Sequence, residues 1–359
     1  MVFNKGYLTR LYFYYNVNNI ACLFLEVLIK KESLLWAFLT IFFLIVLASN
    51  TQAGGQRSVG SLSLLDFTGS PTAFTFLPIV HRLEPSLTPT PSDTPEPVTR
   101  FAVIGDYGLA GQPEADVAAL VLSWSPDFVI TTGDNNYPDG SAQTIDENIG
   151  QYYHSFIYPY FGNYGEGADI NRFFPSVGNH DWRATNGQPY LDYFTLPGNE
   201  RYYDFTWGPL HLFSINSDQN EPDGMDPSSV QAAWLQQKLA ASTSPWQIVY
   251  THYAPYSSGT YGVNTWIQWP FKEWGVDAVL SGHEHSYERL LIKDLVYFVN
   301  GAGGGSLYNF RNPIQGSMVR FNSDYGAMLA EVTREKIVFW FFTRQKVLID
   351  EFTLMSGSQ

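Results

Sequence analysis

Cysteine is all but missing from this chain. Its single copy, Cys22, lies near the N-terminus, which excludes a disulfide framework and a thiolate metal site from everything downstream. Basic residues are scarce too: 20 Lys and Arg stand against 34 Asp and Glu, a formal net charge of -14 with a pI near 4.8. That balance excludes a protein whose affinity comes from neutralising nucleic-acid phosphates, and an acidic surface also repels anionic membranes. The apolar run Leu34 to Ala48 falls short of the roughly 20 residues that cross a bilayer as a helix. No internal repeat is visible.

What is plentiful is apolar material, 45% hydrophobic and 16% aromatic over 359 residues, enough to bury a large core. Residues 1–53 hold a patchy aromatic segment, then Lys30 and Lys31, the run Leu34 to Ala48 and small residues. That layout is expected of a secretory signal peptide or of an uncleaved N-terminal anchor. The chain is therefore expected to be secreted or extracytoplasmic, with a membrane tether through this segment where it is retained. Residues 54–100 shift to Gly, Ser, Thr and Pro and end in repeated Thr-Pro, which predicts an extended, polyproline-like linker. Within it "AFTFLPIVHR" reads as a short strand or a sticky patch, and His81 as incidental. Residues 101–359 read as the folded domain.

That domain repeats one device. "FAVIGD" is an apolar run ending in Gly105-Asp106, and "PDFVITT" is another, ending in Gly133-Asp134-Asn135-Asn136-Tyr137. Between them a helix is predicted from about Pro113 to Trp124, with Val117, Leu120, Val121 and Trp124 on one face. A right-handed crossover makes the two strands parallel and leaves both aspartates at one sheet edge. Asn135, Asn136 and Pro138 suit a tight turn that folds Tyr137 back over the strand end. "NRFFPSVGNHDW" then ends in Gly178-Asn179-His180-Asp181, "WQIVYTH" in His252, and "DAVLSGHEH" in His283 and His285.

The intervening segments supply the frame. Residues 138–169 predict long loops and a helix around the site. "RYYDFTWGPLHLFSINSD" predicts a hairpin turning at Gly208-Pro209, with His211 a packed strand residue. "DPSSVQAAWLQQKLAAS" predicts a helix from near Pro227 with Val230, Trp234 and Leu235 facing inward, and Asn264 to Trp274 predicts another. Residues 326–354 predict antiparallel strands across Arg334-Glu335-Lys336. Strands and helices alternating early, with strands alone late, predict an α/β sandwich of two sheets with helices outside.

Each strand-end residue has an ordinary reading by itself, since Gly-Asp often serves only a turn and a lone histidine is more often a structural hydrogen-bonder. Their number changes the balance. Five apolar runs end in Asp106, Asp134, Asn179-His180, His252, and His283 with His285, so four of the seven histidines lie at such ends. Oxygen and nitrogen donors without sulfur suit hard or borderline ions such as Fe, Mn or Zn. A pair of ions needs a bridging carboxylate, and Asp134 stands between the two groups.

The ordered blocks Gly105-Asp106-Tyr107-Gly108, Gly133-Asp134-Asn135-Asn136-Tyr137, Gly178-Asn179-His180-Asp181, Val249-Tyr250-Thr251-His252 and Gly282-His283-Glu284-His285 resemble those of the calcineurin-like metallophosphoesterases. Tyr137, with Ser286-Tyr287-Glu288-Arg289, resembles the purple acid phosphatase branch. The resemblance implies a two-sheet αββα sandwich with a dinuclear metal site at the strand C-terminal ends. It implies an Fe(III) site of Asp106, Tyr137 and His285 with Asp134 shared, and a divalent Zn, Mn or Fe site of Asp134, Asn179, His252 and His283. Three ligand negative charges against five positive charges then leave a locally positive pocket in an acidic protein.

The implied activity is hydrolysis of small phosphate monoesters by a metal-bound hydroxide, as in an acid phosphatase, with His180 placed to hydrogen-bond a phosphate oxygen or to protonate the leaving group. One departure concerns the stretch "SSGTYG", where Tyr261 stands at a place at which similar enzymes often carry histidine. A phenol is a poorer acid near neutral pH, so Tyr261 is a second candidate for contact with the leaving group, with no acid pH optimum assumed. Tyr253 and Tyr256 read equally as pocket lining or as packing. A phosphodiesterase or nucleotide pyrophosphatase on the same fold is the alternative reading. A one-metal or Mn/Zn enzyme with Tyr137 unligated also stays open. A surface binding protein with an inactive catalytic fold is the reading from another class, and the intact donor set argues against it.

Overall fold

The structure, a computed structural model, describes residues 97–357; the leader and most of the linker expected above, including His81, lie outside them. Among the described residues thirteen strands form two sheets. In the first, β1 (Thr99–Ile104) pairs in parallel with β2 (Phe128–Thr131), which pairs in parallel with β3 (Phe173–Pro175). In the second, β4 (Tyr203–Trp207) and β5 (Leu210–Ser214) make the hairpin expected at Gly208-Pro209, and β6 (Trp246–Tyr250) and β7 (Ala278–Ser281) extend it in parallel from β5. Strands β8 (Tyr287–Ile292), β9 (Leu295–Asn300) and β10 (Ser317–Phe321) complete that sheet. The chain then returns to the first sheet through β11 (Gly326–Val332), β12 (Lys336–Thr343) and β13 (Leu348–Met355). The strand orders are β13-β12-β11-β1-β2-β3 and β10-β8-β9-β7-β6-β5-β4.

Period-two alternation places the core. On β6, Ile248 and Tyr250 join the cluster between the sheets, while Val249 joins a second cluster under the helix α2 (Val230–Ala241). Aromatic rings fill the space between the sheets: Phe174 of β3 stacks on Phe205 of β4 at 3.8 Å, and Phe298 of β9 lies 4.9 Å from Phe339 of β12. The helix α1 (Gln112–Ser123) carries the β1–β2 crossover and buries Val117, Leu120 and Val121. Helices on the outer faces of two packed sheets make the expected sandwich.

Two local expectations need correction, and one open alternative is decided. Val230 does not face inward; it is 64% exposed, because α2 begins one turn later than Pro227, capped by Ser229, whose Oγ accepts from Ala232 N at 3.1 Å. The helix phase then buries Gln231, Ala232, Leu235 and Leu239. Residues 264–274 form no helix beyond a single 3-10 turn at Thr265–Ile267; Pro270 lacks the amide a helix would need and disfavours helical geometry at Trp269. Tyr256 packs against Tyr297 at 5.0 Å and does not line the site cleft. No helix among the described residues is long and apolar enough to cross a membrane.

Candidate metal centre

The parallel strands of both sheets end on the same side, and their C-terminal loops meet. Asp106 follows β1, Asp134 and Tyr137 follow β2, and Asn179 and His180 follow β3; His252 follows β6, and His283 and His285 follow β7. The turns that aim them are tight. Asp106, Asp134 and His283 have φ of 53°, 53° and 67°, a left-handed geometry that is sparsely populated outside glycine and is held only where surroundings enforce it. Gly133, at φ 92°, leaves room that a Cβ would take from His252 Nδ1, 2.6 Å away.

The seven residues expected to hold metal are brought together in two overlapping groups. In the first, Tyr137 Oη lies 3.0 Å from Asp134 Oδ2, 3.4 Å from Asp106 Oδ1 and 3.0 Å from His285 Nε2, and His285 Nε2 lies 3.3 Å from Asp106 Oδ1. In the second, His252 Nε2 lies 3.4 Å from Asp134 Oδ1, 3.0 Å from Asn179 Oδ1 and 3.2 Å from His283 Nδ1. Asp134 belongs to both groups, one oxygen to each.

Whether these residues fit a cation is decided by their lone pairs. His285 Nδ1 lies 2.7 Å from Ser306 O and His252 Nδ1 lies 2.9 Å from Thr132 O. A carbonyl accepts only a proton, so each Nδ1 is the donor, and in the neutral ring each Nε2 offers a lone pair inward. In the first group one phenol proton then serves three acceptors. In the second, the lone pairs of His252 and Asn179 converge beside His283. Asp106 and Asp134 are buried, and their ion-pair partners among the described residues are histidines alone. Buried acceptors gathered without enough protons are what a metal ion satisfies, and Asp106, Asp134 and His285 place one donor atom each within 4.8 Å of one another.

The protein's own field follows the same geometry. Burial acts to raise Asp134, yet His252 and His180 outweigh it and hold the carboxyl below its ordinary value. Burial first, and then the charges of Asp134 and Asp106, push the Tyr137 phenol well above its ordinary value. His283 is pushed down to about 3 by burial and by His252.

Around the donors lies a cleft of about 460 Å³. His180 sits at its edge with Nε2 3.8 Å from Asp134 Oδ2, its amide donating to Asp134 Oδ1 at 2.9 Å. Tyr261 also lines it, 55% exposed, its ring 4.5 Å from His283. Tyr253 also lines the cleft.

Several contributors escaped the sequence reading. Asp181 accepts from the amides of Gly178 and Asn135 and from Asn135 Nδ2, which ties the Asp134 loop to the Asn179 loop; burial, then the charge of Asp134, pushes it up to about 7. Glu284 accepts from the amides of Tyr261 at 2.6 Å and Gly262 at 2.7 Å. Arg183 and Tyr308 line the cleft. Asp181 and Glu284 were visible inside quoted blocks, but nothing in spacing marks Tyr308, which comes from the loop after β9.

Comparison with known proteins places this arrangement. The family model of calcineurin-like phosphoesterases matches residues 99–287. In sequence the chain is 27% identical to purple acid phosphatase 17 of Arabidopsis thaliana over 284 residues, covering 67% of this chain and 80% of that one. It is 24% identical to tartrate-resistant acid phosphatase type 5 of Mus musculus, covering 62% and 76%. In structure it is similar to purple acid phosphatase PPD1 of yellow lupin seeds, with a TM-score of 0.60 at 18% identity over 72% of this chain and about half, 54%, of that one. It is likewise similar to GAP50, described as the anchor in the inner membrane complex of Plasmodium, with a TM-score of 0.58 at 18% identity over 73% and 90%. The fold and its edge of oxygen and nitrogen donors define a metallophosphoesterase. The chain belongs to the calcineurin-like phosphoesterase family, on its purple acid phosphatase-like side, and is a hydrolase of phosphoric ester bonds.

Proposed function

We propose that this chain is an exported phosphatase that hydrolyses small phosphate monoesters at a dinuclear centre, Fe(III) with a divalent Zn, Mn or Fe. The observation that carries the reading is the sharing of Asp134 between two acceptor clusters, one oxygen facing Tyr137 at 3.0 Å and the other facing His252 at 3.4 Å. Asp106, Tyr137 and His285 would hold the trivalent ion, for which an anionic phenolate is a hard donor. Asn179, His252 and His283 would hold the divalent one, for which a neutral amide suffices. When bound, such ions supply Lewis acidity toward phosphate oxygens and toward water.

The chain's own groups do the rest. His180 is assigned to hydrogen-bond a phosphate oxygen or to return a proton to the leaving oxygen, from its place at the cleft edge. Arg183 Nη1, 2.9 Å from His180 Nδ1 and 3.2 Å from Pro138 O, adds positive charge at the same rim. Tyr261, beside His283, is assigned to donate a hydrogen bond toward the leaving group. The export reading rests on the signal-like layout of residues 1–53.

The test is metal content, visible absorption and turnover of p-nitrophenyl phosphate against its bis-ester. About two metals per chain, a broad visible band lost in Tyr137→Phe, and preference for the monoester are expected. Asp134→Ala is expected to lose both metals and turnover, since one carboxylate serves both groups. Retained turnover in Asp134→Ala would refute the site, and preference for the bis-ester would move the assignment to a phosphodiesterase.

A further inference from the structure

Between Asp134 and Tyr137 stand two adjacent asparagines that the sequence alone does not distinguish. The fold gives them different partners. Asn136 bonds to the segment that follows it: its Nδ2 donates to Ser141 O at 2.7 Å, and its Oδ1 accepts from Thr144 Oγ1 at 2.7 Å and Asn148 Nδ2 at 2.8 Å. Asn135 is wholly buried and reaches the segment after β3. Its Oδ1 accepts from the Tyr107 hydroxyl at 3.0 Å and from Thr131 Oγ1 at 2.5 Å, and its Nδ2 donates to Ser176 O and to Asp181 Oδ2, each at 2.8 Å. A carboxamide has two acceptor positions on oxygen and two protons on nitrogen, so all four are in use. Ser176 O can only accept, which fixes the nitrogen toward it.

The two donor bonds bracket a residue of the second donor group. Ser176 comes before Asn179 and Asp181 after it, so one NH2 group holds both ends of segment 176–181. Asp181 also accepts from Gly178 N at 2.8 Å, which draws the turn before Asn179 to the same carboxylate. Within this segment Asn179 Oδ1 stands 3.0 Å from His252 Nε2, and His180 N donates to Asp134 Oδ1 at 2.9 Å. The first donor group is fixed by other bonds. Asp106 Oδ2 accepts from His283 N at 2.9 Å, Tyr137 N donates to Gly108 O at 2.7 Å, and His285 Nδ1 donates to Ser306 O at 2.7 Å.

We propose that Asn135 is a positioning residue for the second donor group. Its NH2 sets where Asn179 stands against His252 and Asp134, and thereby the affinity of the chain for the divalent ion, while the first ion is held independently of it. The proposal rests on the two-ion reading above. Removing an outer partner that orients a metal-binding side chain typically weakens metal affinity by roughly 10- to 100-fold. The bond from Asn135 N to Asp181 Oδ1, at 3.0 Å, belongs to the backbone and survives a change of side chain, so the loss is graded and not complete.

Calorimetric titration of Zn(II) into the full chain holding Fe(III) reads the second ion, and iron content with the visible band reads the first. Asn135→Ala is expected to weaken zinc binding by roughly 10- to 100-fold, with iron content and the visible band unchanged. Turnover is expected to recover as zinc is raised, which separates lost affinity from lost chemistry. Asn136→Ala removes the same chemical group from the next position and is expected to keep the wild-type zinc affinity. Asp181→Asn, which removes the charge of the clamp and keeps its shape, is expected to weaken zinc binding with iron retained.

Wild-type zinc affinity in Asn135→Ala would overturn the proposal. Equal weakening of both ions, or equal weakening of zinc by Asn136→Ala, would also overturn it, since either marks a general loosening of the loop. Should Asn135→Ala fail to fold, Asp181→Asn decides by the same criteria. A wild-type chain that does not hold iron and zinc together would refute the two-ion reading and this inference with it.

Discussion

His180 and Asn179 are neighbours in the chain, yet the geometry gives them different work. Asn179 Oδ1 points at His252 Nε2 at 3.0 Å, inside the second donor group. His180 stays at the margin of the donors, its Nδ1 2.5 Å from Pro138 O, its Nε2 3.8 Å from Asp134 Oδ2 and its ring 4.5 Å from Tyr137. A residue that shuttles a proton or binds phosphate without holding metal has a distinct signature on removal. His180→Ala is expected to lower kcat by roughly a hundredfold to ten-thousandfold while metal content stays at the wild-type level. Loss of metal together with activity would instead make His180 a ligand.

At the scale of elements, the loop from Ser257 to Gly262 is fixed by carboxylates on the chain that follows β7. Glu284, between His283 and His285, is wholly buried and passes so close to Gly259 that a Cβ there would clash with its carboxylate. A carboxylate accepting two amides makes bonds worth about 1.5–3 kcal/mol each. Glu284→Gln keeps the shape and removes the charge. Amide exchange at Tyr261 and Gly262 is expected to quicken by about tenfold or more, and kcat/KM to fall, without loss of metal. Unchanged exchange at these two amides would show that the loop is held by its packing instead. The block Gly282-His283-Glu284-His285 was legible in the sequence as a source of donors; the role of its glutamate was not, because its partners lie 22 and 23 residues away.

At the scale of the whole molecule, the two sheets bury acidic groups that respond to pH. Asp277, just before β7, is buried and accepts from Gln247 N at 2.7 Å; burial pushes its carboxyl up to about 6, with the Gln247 bond and Lys272 opposing. A carboxyl raised above its unfolded value of about 3.9 favours the fold in its protonated form. Its contribution is complete below about pH 4 and is lost as pH rises through about 6, by up to roughly 3 kcal/mol. Asp277→Asn, which retains an acceptor for Gln247 N, is expected to melt higher than wild type at pH 8 and to converge with it near pH 4.5. Parallel melting profiles from pH 4.5 to 8 would refute this.

The chain's local order determined much of this on its own. Apolar runs closing in Gly-Asp, Gly-Asn-His or Gly-His-Glu-His declare buried strands with polar ends, and the right-handed crossover puts Asp106 and Asp134 at one edge whatever the details of packing. What local order could not determine was phase and partnership. Val230 pointed outward because a serine cap set where α2 begins, and the expected helix over residues 264–274 yielded to Pro270 and to tertiary packing of its tryptophans. Tyr256 and Tyr253, alike in sequence, were separated only by the fold, one against Tyr297 and the other beside His283. Tyr308 reached the cleft by stacking on His285, 23 residues earlier in the chain. Donor identity is written in single residues and their strand ends, whereas the aromatic rings beside them come from the segments after β6 and after β9, and only the order β9-β7-β6 within the second sheet brings those segments together.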